Sequence, residues 1–383
     1  MKILHLAPDE KFIDMALEIF EESYPKENSL IVFSNSPIKL VKSKGVSCSR
    51  VNPLNRFNPI FYSSVIKKYD VVVLHGLSDW FLPIVLFAST KTTFIWLGWG
   101  YDYYRYIDGY QGEDQLEPLT RVASFNNRKS ISRILSDCVK YPFSLKPSVK
   151  YCISKIKIFS PVLPDEYELL KNSLLLNKFP AYSAWNYGSL ERNWLKDFTD
   201  QEVSGDNILV GNSAAITNNH FDTFALLSKI PFNKKQLITP LSYGNKEYGD
   251  EVVKKGYQLF GDDFYPLNAF LELTEYINII KSCGFVIMNH KRQQALGNIV
   301  IMLYLGAKVF LNQASPALLY LKNLGFVIFS IEELKEQPSL LSGKLSQREV
   351  NLNREKLKLT WSHSVIKKRT ESLVQLALLP DKE

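Results

Sequence analysis

Short runs that are apolar on both faces, separated by segments of helical spacing, recur along nearly the whole chain, and no other feature narrows the fold as far. In the first half they fall at residues 3–6, 30–33, 71–74, 93–97 and 156–159. In the second half they fall at 207–210, 236–239, 284–288, 308–311 and 326–329. A strand apolar on both sides must be covered on both sides, and helices placed between successive strands do this for a parallel sheet. Helical spacing is read at 12–20, from Pro164 and Asp165 onward, and at 221–228, 250–259, 271–281, 294–305 and 316–323. The 383 residues exceed what one core holds, so two such sheets are expected.

The pattern changes between 177 and 205, where Pro180, Tyr182, Trp185, Tyr187 and Gly188 precede a polar stretch, and the interdomain linker is placed there. The expected domains are 1–190 and 200–355, both doubly wound and Rossmann-like, facing a central cleft. Residues 356–383 are the expected C-terminal segment, a helix read from Arg354 to Leu378 with Leu357, Leu359, Trp361, Val365, Leu373 and Leu376 for burial, that is expected to pack back on the first domain.

Composition excludes several classes. A chain 46% hydrophobic and 22% charged is globular, not disordered. Its four cysteines, Cys48, Cys138, Cys152 and Cys283, form no CxxC pair, which speaks against a zinc cluster or disulfide scaffold and fits a reducing compartment. The opening MKILHLAPDE reaches Asp9 and Glu10 before a signal-like apolar core forms, and the most apolar stretch, 81–96, is interrupted by Pro83 and Lys91. Any membrane contact is therefore expected to be peripheral. The formal charge of +7 favours anionic partners. Between 121 and 157, nine basic residues (Arg121, Arg128, Lys129, Arg133, Lys140, Lys146, Lys150, Lys155, Lys157) face the single acid Asp137. With Ile131, Leu135, Tyr141, Phe143 and Tyr151 interleaved, the segment suits either a solvated face or an anionic membrane surface, where each cation contributes about 1 kcal/mol.

Ligands of doubly wound sheets bind beyond the carboxyl ends of the strands, and the unusual polar residues of this chain cluster there. In the first half, His75 and Asp79 follow one strand and Asp102 follows the next, among Trp99, Tyr101, Tyr103 and Tyr104. His75, Asp79 or Asp102 is the candidate base for an acceptor hydroxyl, and Asp102 with its aromatic neighbours is the candidate sugar contact. In the second half, Gly211, Asn212 and Ser213, with Asn219 and His220, end a strand and open a helix, an arrangement that offers backbone N–H groups to an anion or merely caps a helix. Lys291, Arg292, Gln293 and Gln294, followed by Gly297 and Asn298, repeat the arrangement with added charge suited to a diphosphate. Tyr243 follows another strand and could line a base or ribose pocket, or simply sit in a turn.

There is no GxGxxG after a strand, no GxxxxGK[ST], no HExxH and no EF-hand, and Asp262–Asp263 is not a DxD pair. Classical dinucleotide binding and Walker-type phosphoryl transfer lose support, no metal site is expected, and metal-independent chemistry is the simpler reading. Aromatics following strands, not alternating with basic residues, speak against nucleic acid.

At these clusters the sequence resembles the dTDP-N-acetylfucosamine:lipid II N-acetylfucosaminyltransferase family, glycosyltransferase family 56. The residues that carry the likeness are His75–Gly76, the WGxDxY at 99–104, LVGNS at 209–213 with Asn219 and His220, Pro240 with Tyr243, and RQQxxG at 292–297. The resemblance implies a GT-B architecture and a nucleotide-diphosphate sugar, dTDP-linked by preference, held mainly by the second domain. It also implies a polyprenyl-diphosphate saccharide acceptor on the first domain, at the cytoplasmic face of a bacterial inner membrane, in surface polysaccharide synthesis. The expected chemistry is direct attack of the acceptor hydroxyl while Lys291, Arg292 and loop amides stabilise the leaving diphosphate. A nucleotide-sugar epimerase or hydrolase of the same architecture, or a non-catalytic nucleotide-sugar-binding protein, are the alternatives.

Overall fold

A computed structural model describes residues 1–43, 45–51, 64–89, 91–124, 146–231 and 235–380. The chain divides into two compact units, one of Met1–Asp108, Lys129–Asn193 and Trp361–Glu383, the other of Gly109–Arg128 and Trp194–Thr360. Residues 109–128, which the sequence boundaries assign to the first domain, thus group with the second unit.

The first unit is built on seven strands: β1 (Ile3–Pro8), β2 (Asn28–Phe33), β3 (Ser47–Val51), β4 (Val71–His75), β5 (Thr93–Leu97), β6 (Ile158–Ser160) and β7 (Ala181–Tyr182). They lie in the order β3-β2-β1-β4-β5-β6-β7, and every neighbouring pair is parallel. Helix Phe12–Ser23 follows β1 and buries Ile13, Ala16, Leu17, Ile19 and Phe20, a stripe one helical face wide. Helix His363–Leu378, at the far end of the sequence, packs against it and buries Ile366, Thr370, Leu373, Val374 and Ala377. Among the hydrogen bonds that hold this helix, Trp185 Nε1 donates to Thr370 Oγ1 at 2.8 Å, Tyr24 Oη donates to Glu371 O at 3.1 Å, and Lys367 Nζ donates to Glu22 at 3.3 Å.

The C-terminal run expected as one helix is two, Gln347–Trp361 and His363–Leu378, broken at Ser362. The break coincides with the passage of the chain from one unit to the other after Thr360. The Glu191 carboxylate accepts the amide of His363 at 2.9 Å, one of the donors a new helix start leaves unpaired. Leu357, Trp361 and Leu373 are buried, whereas Leu359 points into solvent.

The second unit carries six parallel strands, β8 (Asn207–Val210), β9 (Leu237–Pro240), β10 (Phe264–Leu267), β11 (Cys283–Met288), β12 (Lys308–Leu311) and β13 (Phe329–Ser330), in the order β10-β9-β8-β11-β12-β13. Helix Leu296–Leu305 is buried nearly all round, with Leu296, Ile299, Val300, Ile301, Met302, Leu303, Tyr304 and Leu305 inside. Each such aliphatic side chain contributes roughly 1.5–3 kcal/mol relative to exposure, so the start of this helix is rigidly held. In both sheets the strand order reverses direction once, between β1 and β4 and between β8 and β11. Open parallel sheets bind ligands at such reversals, beyond the carboxyl ends of the strands.

Among the described residues no helix is long and apolar enough to cross a membrane. Of the basic stretch at 121–157, Arg128, Lys129, Arg133 and Lys140, together with Ile131, Leu135, Tyr141 and Phe143, lie outside the described residues. Lys155 Nζ donates to the carbonyls of Leu86 and Ala88 at 2.9 and 2.8 Å, capping helix Leu82–Phe87, and Lys157 Nζ donates to Leu379 O.

Candidate functional site

In the second unit the reversal between β8 and β11 is closed by side-chain amides. Gly211 leaves β8 with φ +68, and a Cβ there would stand 2.7 Å from both Asn218 Oδ1 and His220 Nε2, so only glycine fits. Asn218 is the centre of the arrangement. Its Oδ1 accepts from the Asn212 amide and from His290 Nε2, both at 2.8 Å, and its Nδ2 donates to Ala215 O and Ser213 Oγ. The loops after β8 and β11 are therefore joined through one buried amide. Burial holds His290 well below its ordinary pKa, with Arg292 and His220 adding to the effect, so the ring is neutral and its proton sits on Nε2.

Around this centre Asn212 and Gln294 complete a second tier. Gln294 donates to Asn212 Oδ1 at 3.0 Å and accepts from Thr217 Oγ1 at 2.7 Å, while Asn212 Nδ2 donates to Tyr243 Oη at 2.7 Å. Tyr243 is 52% exposed. Arg292 is half-buried and donates from Nη1 to Gln293 O at 2.9 Å, while Gln293 itself is buried. Ala295 takes the left-handed conformation just before helix Leu296–Leu305, and a Cβ on Gly297 would meet nothing within 4 Å. The first turn of that helix thus borders open space at Gly297, and Asn298 beside it is half-buried.

Asn219 and His220, read from the sequence as ligand contacts, are fully buried and occupied with holding loops. Asn219 Oδ1 accepts the Glu117 amide at 2.9 Å, and its Nδ2 donates to Asn289 O at 2.8 Å. His220 Nδ1 lies 3.0 Å from Tyr248 Oη, and burial lowers its pKa to about 3. Lys291 donates to Leu116 O at 3.2 Å and pairs with Glu117 at 3.3 Å; the same Glu117 oxygen accepts from Asn312 Nδ2 at 3.0 Å. Asp222 accepts the amides of Leu119 and Thr120 at the start of helix Pro118–Ser124. A segment drawn from the middle of the first unit's sequence is thus fastened beside the β8 and β11 loops. Asn218 and His290 lie within the polar clusters that follow these two strands in sequence, at 217–220 and 289–294, but were given no ligand role there; Glu117 and Asn312 lie outside those clusters, and Glu117 carried no local signal.

The first unit's reversal holds a different device. His75 is fully buried with its Nε2 3.0 Å from His5 Nδ1 and its Nδ1 2.8 Å from Tyr187 Oη. His5 Nε2 lies 3.2 Å from Asn28 Oδ1, and Asn28 Nδ2 donates to Glu21 at 2.8 Å and to Tyr24 O. Burial lowers His5 to about 4 and His75 well below its ordinary value, so both rings are neutral. The donors then run one way: Tyr187 O–H to His75, His75 to His5, His5 to Asn28, Asn28 to Glu21. His75, expected as a base open to an acceptor, is instead an interior link that fixes the Tyr187 hydroxyl.

Asp102 also differs from expectation. It is 2% exposed, and accepts from Leu77 N and Trp96 Nε1 at 2.8 Å and from Trp99 N at 2.9 Å. Burial pushes its carboxyl pKa up while these three N–H groups oppose the shift. Both oxygens are committed to tying the β4 and β5 loops together, so the carboxylate is a positioning group. Tyr103 and Tyr104 are likewise buried, both hydroxyls donating to Glu166 at 2.5 Å. Asp79 pairs with Arg105 at 3.0 Å. An aromatic group surrounds these loops: Trp99 lies 5.9 Å from Tyr101, 5.7 Å from Tyr187 and 6.5 Å from Phe12 between ring centroids, and of the four, Tyr101 and Phe12 are exposed, Tyr101 to 54%.

Among the described residues no group of three or more His, Cys, Asp or Glu side chains is arranged to hold a metal ion. Residues 190–357 match the sequence pattern of the family described as 4-alpha-L-fucosyltransferase glycosyl transferase group 56. The chain is a glycosyltransferase whose residues 190–357 carry the family 56 signature. The matched span contains every element of the amide network except the segment around Glu117. In fold the transferase is similar to HepE from Anabaena, crystallised with UDP and glucose, at 11% identity over 98% of this chain and 99% of that one, TM-score 0.63. It is similar to the lipopolysaccharide outer core galactosyltransferase WaaB, at 12% identity over 98% and 99%, TM-score 0.64. It is also similar to a glycosyltransferase from Rickettsia africae, at 14% identity over 98% of each chain, TM-score 0.64. These likenesses establish the GT-B fold of two Rossmann-like domains.

Proposed function

We propose that this glycosyltransferase moves an amino-deoxy hexose from a dTDP-linked donor to a saccharide carried on a polyprenyl diphosphate, in bacterial surface polysaccharide synthesis. One observation carries the donor assignment: the Asn218-centred network joins the loops after β8 and β11 at the strand-order reversal and leaves Arg292 and the Gly297 turn beside it. Backbone N–H groups at a rigid helix start, with a guanidinium alongside, are complementary to a diphosphate and to the charge that grows on it as the glycosidic bond breaks. UDP in the HepE structure supports a nucleoside diphosphate at a fold of this kind.

The sugar is transferred by direct displacement. The acceptor hydroxyl oxygen bonds to the anomeric carbon as the bond from that carbon to the diphosphate breaks, and the electron pair leaves on the nucleoside diphosphate. Lys291 and Arg292 neutralise it, so the reaction is read as needing no metal ion. The exposed rings Phe12 and Tyr101 of the first unit, backed by Trp99 and Tyr187, suit the faces of acceptor pyranose rings. The polyprenyl acceptor would bring the protein to an anionic membrane surface from the cytoplasmic side, as a peripheral protein. A thermal-shift panel of dTDP, UDP, GDP and CMP, each followed by its sugars, tests the donor: the true ligand raises the melting temperature by mass action. A panel in which none of the four stabilises the protein would refute the donor reading.

A further inference from the structure

The strand ends of the second unit carry a carboxylate that the loops of its own sheet do not supply. It belongs to Glu117, in the segment Gly109–Arg128 that groups with this unit. The segment is tied to the ends of three strands. Beyond β8, the Glu117 amide donates to Asn219 Oδ1, Asn219 Nδ2 donates to Gln115 O at 3.2 Å, and Asp222 takes the amides of Leu119 and Thr120. Beyond β11, Lys291 donates to Leu116 O. Beyond β12, Ala314 O accepts from Tyr110 Oη at 3.3 Å. Backbone groups on both sides of Glu117 are thus held, and its side chain is positioned before any ligand arrives.

The two carboxylate oxygens of Glu117 differ. Oε1 accepts from Asn312 Nδ2 at 3.0 Å and lies 3.3 Å from Lys291 Nζ. Asn312 is buried and fixed in turn: its Nδ2 also donates to Asn289 Oδ1 at 2.7 Å, and its Oδ1 accepts the Ala314 amide at 2.8 Å. Oε2 has no hydrogen bond or ion pair among the described residues and is not sealed in the interior. Asp222, the other acid that holds this segment, has both oxygens taken by amides.

We propose that Glu117 is a specificity-determining residue for the donor's sugar, its Oε2 accepting a hydrogen bond from a hydroxyl or N–H group of the hexose that the diphosphate carries. The inference rests on the donor reading above and uses residues of the second unit alone. Lys291 connects the two ends of the ligand: its ammonium neutralises the diphosphate and pairs with Glu117, so the carboxylate stands beside the phosphate to which the sugar is joined. A carboxylate repels phosphate oxygens and accepts from hydroxyl and N–H donors, so among the groups of a nucleotide sugar it is complementary to the hexose. A sugar lacking a donor at that position leaves the charged oxygen unpaired, which discriminates more strongly than an apolar contact does.

The test measures each nucleotide with and without its sugar. The pairs dTDP and dTDP-glucose, UDP and UDP-N-acetylglucosamine, and GDP and GDP-mannose are titrated calorimetrically into the full-length protein and into Glu117→Gln. The glutamine keeps an acceptor for Asn312 and removes the charge. For the nucleotide that binds, the Kd of the nucleotide divided by the Kd of its sugar form should fall by about 10-fold in Glu117→Gln, because a hydrogen bond to a charged group is lost from the sugar complex alone. A quotient within about threefold of the parent's overturns the assignment, since Glu117 would then act on the diphosphate through Lys291 or on neither part of the ligand. Should the variant not fold, the crystal structure of the unsubstituted protein with the nucleotide sugar decides. A hexose oxygen or nitrogen within about 3.2 Å of Glu117 Oε2 supports the proposal, and a hexose with no polar atom on Glu117 overturns it. Failure of the unsubstituted protein to bind any of the three nucleotides would instead strike the donor reading.

Discussion

His75 Nε2 stands 3.0 Å from His5 Nδ1, with both rings sealed from solvent and both neutral. The consequence for stability has a definite sign. Between pH 6.5 and about 4 the unfolded chain takes up a proton on His5 that the folded chain refuses, so stability falls as the pH is lowered through that window. Below about 4 the folded state protonates too and this loss levels off. The difference between 6.5 and about 4 corresponds to about 3 kcal/mol, and His75, His220 and His290 shift in the same direction. Urea midpoints measured from pH 7 to pH 4 should fall steadily. A flat profile over that range would show that these rings do not stay neutral.

Asp102→Asn tests the positioning role assigned to that carboxylate. One of its oxygens becomes an NH2 group facing N–H donors from Leu77, Trp96 or Trp99, which leaves at least one buried donor unpaired. The expected cost is about 1–3 kcal/mol in chemical denaturation. Turnover per folded molecule should be little changed. A variant of normal stability with turnover abolished would restore a direct chemical role for Asp102.

Asn218→Ala removes the amide that joins the β8 and β11 loops and strands the Asn212 N–H and His290 Nε2–H. Both loops then lose their mutual register. Stability should fall by about 1–3 kcal/mol and dTDP affinity should fall with it, read by urea titration and calorimetry. Retained affinity in a destabilised protein would separate the network from the donor site.

The central strands were legible because burial on both faces leaves an unmistakable apolar run. The three strands that left no such trace, β3, β7 and β10, are all sheet edges. β3 reads SCSRV and is exposed except at Val51, and β10 contains Pro266, which an edge tolerates because no ladder hydrogen bond is required there. At the candidate site, the polar residues do sit in loops after strands, as read from the sequence, but the sequence misread which of them face outward. Polar residues after a strand can serve a ligand or the fold, and Asp102, His75, Asn219 and His220 proved buried and engaged by partners up to 112 residues away. Such partners are set by strand order, which single-sequence periodicity does not encode.

Arg292→Ala tests the guanidinium at the diphosphate position. A charge-assisted hydrogen bond is worth roughly 1.5–3 kcal/mol, so dTDP affinity should fall by about 10-fold to 100-fold. The half-buried side chain contributes little to the core, and the melting temperature should change only slightly. Unchanged affinity by calorimetry would remove Arg292 from the donor site.

Glu117 and Lys291 make the sharpest electrostatic prediction, because the donor reading gives the Lys291 ammonium two anionic partners. Without ligand it pairs with Glu117 at 3.3 Å, each side chain about a quarter exposed. An arriving diphosphate must share or displace that carboxylate, and it also meets the negative charge of Glu117 itself. Glu117→Gln keeps an acceptor for Asn312 Nδ2 and removes the charge. A partly exposed pair of this kind is worth about 1 kcal/mol, so inorganic pyrophosphate and dTDP should bind about fivefold more tightly, and the gain should shrink as salt is raised. Weaker binding would mean that Glu117 holds Lys291 in the geometry the ligand needs, and the competition between the two anions would then be excluded.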